Sequence, residues 1–387
     1  MYAGTEARGF EQAADFLEKL GEISISAQRV RRLTLRIGDE RQQECAAQTA
    51  AFAALTLPEQ RQSPTGRAPE AVSVQADGAR LQILDRAAPE GTYADGHWRE
   101  TKIGVLQTLA SEVHAEDPCP QLPETFRDPG RVSQLAREIK GFSAASPALE
   151  EDSAADEQPA DQRPGQPRPL AKSVVATCGD IHAFAPRLAA AAHARGFMAA
   201  SRKAFVGDGS DTNWSVWRRY FSHFTPILDF VHALMYVYAA AMAGRPASEG
   251  WATYRTWAQW VWSGQVGQVI QALQQRQLEL GLPEKGEPET SPRSQVQASL
   301  RYLTNQQSRM KYDEYRRQGL PITSSAVEST IKQINRRMKG TEKFWNQGAE
   351  PLLTLVADHL SDTPDLTRFW RTRHLRQPGT RHYQTAA

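Results

Sequence analysis

The order of hydrophobic periods constrains this chain more than any other feature. Val72, Val74 and Ala76 alternate with Ser73, Gln75 and Asp77, and Leu81 and Ile83 resume the pattern. A period of two predicts a half-buried strand. Turn residues gather from Pro89 to Gly96, and Trp98 to Leu106 reads as a second strand through Ile103 and Val105. Ser173 to Thr177 is a third. Gly179 and Asp180 then cap a helix from Ile181 to about Arg195. Lys203 to Gly207 is a short buried strand that ends at Asp208. Beyond Trp214 the pattern turns helical and aromatic, through Leu228, Tyr236, Trp251, Trp257, Trp260 and Trp262. Thr225-Pro226 is a helix start, with threonine as cap and proline in the first turn. A polar break at Gly281 to Pro292 precedes another helix to Arg317. Leu320 to Thr323 ends that helix, and a last one starts near Ser325.

The flanks read differently. Phe10, Ala13, Ala14 and Leu17 make one helical stripe, and Gly21 breaks it. Ser26 caps a second helix, to about Glu44, carrying Val30, Leu33 and Leu35 beside Arg29, Arg31, Arg32 and Arg36. This pair is either a helix-turn-helix whose second helix lies in a major groove, or a plain helical hairpin for packing or dimerisation. The expected division is a helix-turn-helix over 1–51 and a linker over 52–68, with Pro58, Pro64 and Gly66. A catalytic core follows over 69–215, with a low-order acidic loop near 142–170. A helical insertion over 216–319, a second core segment over 320–360 and a basic tail over 361–387 complete it. Strand, strand, strand, helix, strand, helical insertion, helix is the order of an α/β, ribonuclease-H-like mixed sheet. The expected fold class is therefore that sheet with a helical insertion domain, plus an N-terminal all-α helix-turn-helix.

A formal net charge of +2 conceals a segregated distribution. Acid is concentrated at Glu150, Glu151, Asp152, Asp156, Glu157 and Asp161, and the rest of the chain is basic. Arg368, Arg371, Arg373, Arg376 and Arg381 crowd the tail. Separated basic patches suit DNA, although a solvated surface explains any one of them alone. The apolar run from Leu228 to Ala243 is too short for a membrane span and is broken by Asp229 and His232. No leader pattern follows Met1. Cys45, Cys119 and Cys178 form neither a metal finger nor a disulfide framework. A cytoplasmic setting is expected.

Three acids stand out. Cleavage of a phosphodiester by two metal ions about 3.5–4 Å apart needs carboxylates converging on one point. Asp77 sits within the first strand, Asp208 ends the fourth, and Glu328 lies on the helix after the insertion. Each has a plain alternative. Asp77-Gly78 and Asp208-Gly209 are turn dipeptides. Ser325 to Glu328 matches a capping box. On the last helix Val327, Ile331, Ile334 and Met338 form a core stripe. Glu328, Lys332, Asn335, Arg336 and Lys339 form the adjacent one. Cations beside an acidic ligand suit a metal site next to a phosphate backbone, and an i,i+4 pair of Glu328 with Lys332 is the alternative. Asp229 and His232 share a helix face, where a structural role is expected.

Two blocks carry a resemblance. One is Phe205 to Gly209 with Asn213 and Trp214, then Phe224 to His232. The other is Leu320 to Ser329, followed by Arg336 to Thr341 and Phe344 to Asn346. Together they resemble bacterial insertion-sequence transposases of the Kra type, related to Mutator-like transposases. The resemblance spans about Phe10 to Trp370, and family members are often longer at the N-terminus. It implies an acidic triad of Asp77, Asp208 and Glu328 holding Mg²⁺ or Mn²⁺, with Asp229 and His232 as supporting motif residues. It further implies binding of inverted-repeat ends and target DNA, metal-dependent hydrolysis and strand transfer, and a homodimer or higher oligomer on DNA. Arg29, Arg31, Arg32, Arg36, Lys332, Arg336, Arg337 and Lys339 are the expected DNA contacts. A catalytically decayed or domesticated DNA-binding protein of the same family is the alternative.

Overall fold

The computed structural model describes residues 1–83, 98–140, 164–340, 345–346 and 348–376. Its centre is a mixed, open sheet of β1 (Ala71–Gln82), β2 (Trp98–Ala110), β3 (Arg168–Thr177), β4 (Arg202–Gly207) and β5 (Thr225–Leu228). The spatial order is β3-β2-β1-β4-β5. The first three strands are antiparallel neighbours, and β4 and β5 run parallel to β1. The turn expected at Pro89 to Gly96 and the acidic run of the low-order loop lie outside the described residues. So do Thr341, Phe344 and Arg381.

The helices are α1 (Tyr2–Glu6), α2 (Phe10–Gly21), α3 (Ala27–Ala53) and α4 (Leu57–Gln60) before the sheet. Between strands come α5 (Pro129–Lys140), α6 (Ile181–Ala194) and α7 (Asp211–Tyr220). After β5 come α8 (Phe230–Met242), α9 (Ala247–Trp262), α10 (Val266–Leu280), α11 (Pro292–Gln306) and α12 (Tyr312–Arg317). Last are α13 (Ser325–Met338), α14 (Ala349–His359) and α15 (Asp365–Arg376).

Alternation along the strands sorts side chains to two buried faces, so this is an α/β protein with helices on both sides of its sheet. Val72, Val74 and Ala76 pack with Leu106, Val175 and the α6 residues Phe184 and Leu188. Ala79, Leu81, Ile103, Val105 and Val174 pack on the other side under Val327, Ile334 and Met338 of α13 and Leu352 and Val356 of α14. Burying both faces explains why the polar positions of β1 are not at a wet surface. Ser73 and Gln75 are 0% and 2% exposed, and Ser73 Oγ donates to Gln107 Oε1 at 3.2 Å. A buried polar group costs free energy unless it is paired.

Two sequence expectations need correction. Thr225-Pro226 does not start a helix: both residues lie in β5, opposite Ala204 and Phe205. Proline is tolerated on a strand with no neighbour on its outer side, because its missing N–H is not needed there. The helix begins only at Phe230, so the span 216–319, read as wholly helical, contains the fifth strand. The second N-terminal helix is also longer than expected. It runs to Ala53, past Glu44 and into the stretch read as linker, and its buried residues are Val30, Thr34, Ile37, Gly38, Arg41 and Phe52. Leu33 and Leu35 are only half-buried.

That inner face docks α3 on α14. Arg41 Nε donates to Asp358 Oδ2 at 2.8 Å, with both side chains nearly buried. At Gly38 the helices meet so closely that an added Cβ would stand 2.4 Å from the Pro351 carbonyl oxygen. Backbone cannot yield there as a flexible side chain can. Gly38→Val is therefore expected to destabilise the fold by about 1–3 kcal/mol, the scale of overpacking. Urea unfolding checks this, and an unchanged midpoint would remove the close packing from the account.

Candidate active site

Gln75 lies opposite Val206 across the parallel β1–β4 pair. Two residues further along each chain come Asp77 and Asp208, which therefore leave neighbouring strands at the same level. Asp77 is not part of a turn. It stands within β1 opposite Ile103, and Gly78 stands opposite Lys102. Asp208 follows β4, and Gly209 beyond it has φ 96°, a left-handed conformation open to glycine. The sharp turn delivers Ser210 to cap α7, accepting from the Asn213 N–H at 3.3 Å.

Side chains that the sequence reading did not assign fix the two acids. Asn213, 6% exposed, donates through Nδ2 to Asp208 Oδ1 at 2.9 Å and to the Ala76 carbonyl at 3.0 Å. It thus ties the end of β4 to the residue before Asp77. Asp208 Oδ1 also accepts from the Ser210 N–H at 3.0 Å. Asp77 Oδ1 accepts from the Gly78 N–H at 2.6 Å. From the helical lobe, the Tyr302 hydroxyl donates to the Asp208 carbonyl at 2.6 Å, and Gln306 Nε2 donates to the Gly209 carbonyl at 3.1 Å. Tyr302 is stacked on Tyr236, with ring centroids 3.6 Å apart.

Glu328 arrives on the first turn of α13, and three contacts hold that turn. Gln75 Oε1 accepts from the Val327 N–H at 3.1 Å, so the central strand itself caps the helix. Asp229 Oδ2 accepts from both the backbone N–H and, at 2.8 Å, the hydroxyl of Ser324. Ser324 Oγ also lies 3.1 Å from Glu328 Oε1. The helix cap is Ser324, not Ser325, so the capping box spanning Ser325 to Glu328 does not form. Ser325 Oγ is instead 3.3 Å from Thr323 Oγ1.

Asp229 is wholly buried and does double work. Its Oδ1 accepts from the His232 N–H at 2.7 Å and lies 3.1 Å from His232 Nδ1, which caps α8. Its own N–H donates to the Gly207 carbonyl at 2.8 Å. Ligating atoms of Asp229, His232 and Glu328 lie within 4.8 Å of one another. Both Asp229 oxygens accept from these donors, and the three groups together are the set of this kind found among the described residues.

Burial and mutual repulsion set the electrostatics. Burial raises Asp77, the Gly78 N–H opposes it, and the charges of Asp208 and Glu328 help push it up to about 6. Burial and Asp229 raise Glu328, against the opposing pull of His232 and Lys332. Burial would lower His232, but its hydrogen bond to Asp229, with the charges of Asp229, Glu328 and Asp208, pushes it up to about 9. Burial would likewise raise Asp229, and His232 and Ser324 hold it below its ordinary value. His232 is therefore a cation at neutral pH. Asp77, Asp208 and Glu328 each keep one carboxylate oxygen without a hydrogen-bond partner among the described residues.

The expected DNA contacts divide. Arg29, Arg31, Arg32 and Arg36 are exposed on α3, as are Lys332 and Arg336 on α13. Lys339 is half-buried, with Nζ 5.7 Å from the centre of the Trp98 ring. Arg337 is not a surface cation. It is 4% exposed, donates through Nε and Nη2 to the Gly4 carbonyl, and lies over the rings of Phe10 and Trp345. Helical period explains the correction: Arg337 falls beside Ile334 and Met338 on the buried side of α13.

No family model and no curated protein matches this chain. Gln75, Asn213, Ser324 and Tyr302 are the positioning residues that sequence reasoning missed. A polar residue flanked by apolar neighbours on a central strand was the available signal for Gln75.

The His232 shift makes a stability prediction. Its folded value of about 9 lies above the ordinary 6.5. Its contribution is therefore fully present below pH 6.5 and disappears as pH rises through about 9. In metal-free protein, the His232 imidazole resonances are expected to titrate near pH 9, and Asp229→Asn should bring that value down. A His232 midpoint near 6.5 in the unaltered chain would contradict the ion pair.

Proposed function

We propose that this chain is a DNA transposase of the three-carboxylate kind, built on a ribonuclease-H-like fold. The observation that carries the reading is the common placement of Asp77, Asp208 and Glu328. They stand on the central strand, just past the end of its parallel neighbour and on the first turn of a helix packed over β1 and β2. The sheet order supports it, because the reading requires the first and fourth strands to be adjacent. Exposed arginines on α3 and cations on α13 supply the charge that a phosphate backbone needs.

The donor types suit Mg²⁺ or Mn²⁺, hard ions that prefer oxygen. All three groups offer hard oxygen ligands and each has an oxygen to give, and the charges of Asp208 and Glu328 help hold Asp77 above its ordinary value. Asp77, Asp208 and Glu328 would hold the metal. When bound, it supplies charge against the developing negative charge of the phosphodiester and lowers the pKa of water. The chain's own groups do the positioning. Asn213 holds the Asp208 carboxylate against β1, Gln75 and Asp229 hold the helix of Glu328, and His232 keeps a proton beside Asp229. A water then hydrolyses the phosphodiester at an element end, and the freed 3′-hydroxyl attacks a phosphodiester of target DNA, forming a new P–O bond as the target's own 3′-hydroxyl leaves with its proton restored from solvent.

Asp208→Asn is expected to leave folding and DNA binding intact. It should reduce Mg²⁺-dependent cleavage of DNA carrying the flanking inverted repeats by about 10³-fold or more, the scale of a lost catalytic group. Cleavage at the wild-type rate would refute the assignment. Mg²⁺ should also raise the melting temperature of the unaltered protein. At a hundred times its dissociation constant a ligand adds about 2.7 kcal/mol. Asp208→Asn together with Glu328→Gln should abolish that shift, which differential scanning calorimetry reads without any activity.

A further inference from the structure

A second positively charged region lies along α7, apart from the arginines at the start of α3 and the cations of α13. Arg309 lies over two aromatic rings of that helix, 4.3 Å from the centre of Trp214 and 5.9 Å from that of Trp217. Arg218 and Arg219 are exposed in its last turn. Just past its end is a recess of about 60 Å³, whose lining includes Phe52, Arg61, Met198, Arg219 and His223. Lys203 stands beside it, donating to the Met198 carbonyl at 3.0 Å. His223 Nε2 is buried there without a hydrogen-bond partner among the described residues.

These cations crowd one another. Burial lowers Arg309, and the neighbouring Arg218 lowers it further, with Asp211 opposing. Burial lowers Lys203, and Arg61 adds to the effect. Burial lowers His223, helped by Lys203 and Arg61. Among the described residues none of Arg61, Lys203, Arg218, Arg219 and Arg309 forms an ion pair with a carboxylate. Like charges held together cost free energy, which an anion running past them recovers.

We infer that the outer side of α7, from Arg309 to the recess at Arg61, is a track for the phosphodiester backbone of nucleic acid. The helix starts at the Asp208 turn, so the track leads away from the acidic cluster. Its ten residues span about 15 Å. That matches roughly four steps of one DNA strand at about 3.4 Å each. Several cations spread along that length distinguish a backbone from a single bound anion. The choice of DNA as the polyanion rests on the proposed function; the cationic track itself does not.

The test uses the full chain in EDTA, a 30-base-pair duplex of arbitrary sequence as probe, and binding measured by anisotropy over a range of KCl. Arg61→Gln, Arg218→Gln and Arg219→Gln, combined, alter exposed side chains only. Each phosphate contact contributes about 0.9 to the slope of log K against log salt. The triple variant should therefore be shallower by about two to three, with thermal unfolding unchanged. Neutralising Arg131, Arg137 and Arg255, exposed on α5 and α9, should leave the slope near its original value. An unaltered slope in the first variant overturns the track. So does an equal loss in the control set, or an equal loss on polyglutamate of matched length. Should Asp208→Asn still cut DNA, the enzymatic reading fails while the track stands.

Discussion

One buried carboxylate organises the site. Asp229 accepts from the backbone and ring of His232 and from the backbone and hydroxyl of Ser324. These partners belong to the start of α8 and the start of α13, with the whole helical lobe between them. The Phe230 N–H bonded to the Ile322 carbonyl at 2.9 Å closes the same junction. Entry to and exit from the lobe are therefore fixed at one point beside the end of β4. A charge so deep is stable only because every donor it needs is in place. Removing one partner from such an arrangement costs about 3–5 kcal/mol, since the other is left buried and unpaired.

Around that junction, negative charge is concentrated rather than dispersed. Burial raises Asp77 and Glu328 above their ordinary values, and the charges of His232 and, for Glu328, Lys332 pull against that rise. A fold optimised only for stability would not gather these acids. In the proposed enzyme a divalent cation offsets their charge.

Much of this was legible in the sequence because it depends on period. The alternation from Val72 to Asp77 identifies β1, and Ala204 to Val206 identifies a buried strand. The apolar stripe of Val327, Ile334 and Met338 identifies the packed face of α13. What was hidden depends on contacts between distant residues. Pro226 supports a helix start as well as an edge strand, and only pairing with β4 decides between them. Arg337 belongs to a basic pair with Arg336, and only the arrival of Gly4 shows that it is buried. Ser325 is as good a cap as Ser324 by local rules; Asp229, distant in the chain, selects Ser324. The amide of Gln75 has no local signature as a helix cap, because its partner is the Val327 N–H.

The grip of Tyr302 on the backbone at Asp208 gives the helical lobe a third attachment, independent of its two ends. The ring is braced by Tyr236, on a different helix, so the hydroxyl is held from two directions. Gly209 must remain bare beneath it, since a Cβ there would sit 2.7 Å from the phenol oxygen. The lobe is thus mechanically geared to the turn that carries the acid. Through Tyr302 and Gln306, α11 is joined directly to the peptides of Asp208 and Gly209, and through Asn213 that turn is joined to β1 beside Asp77.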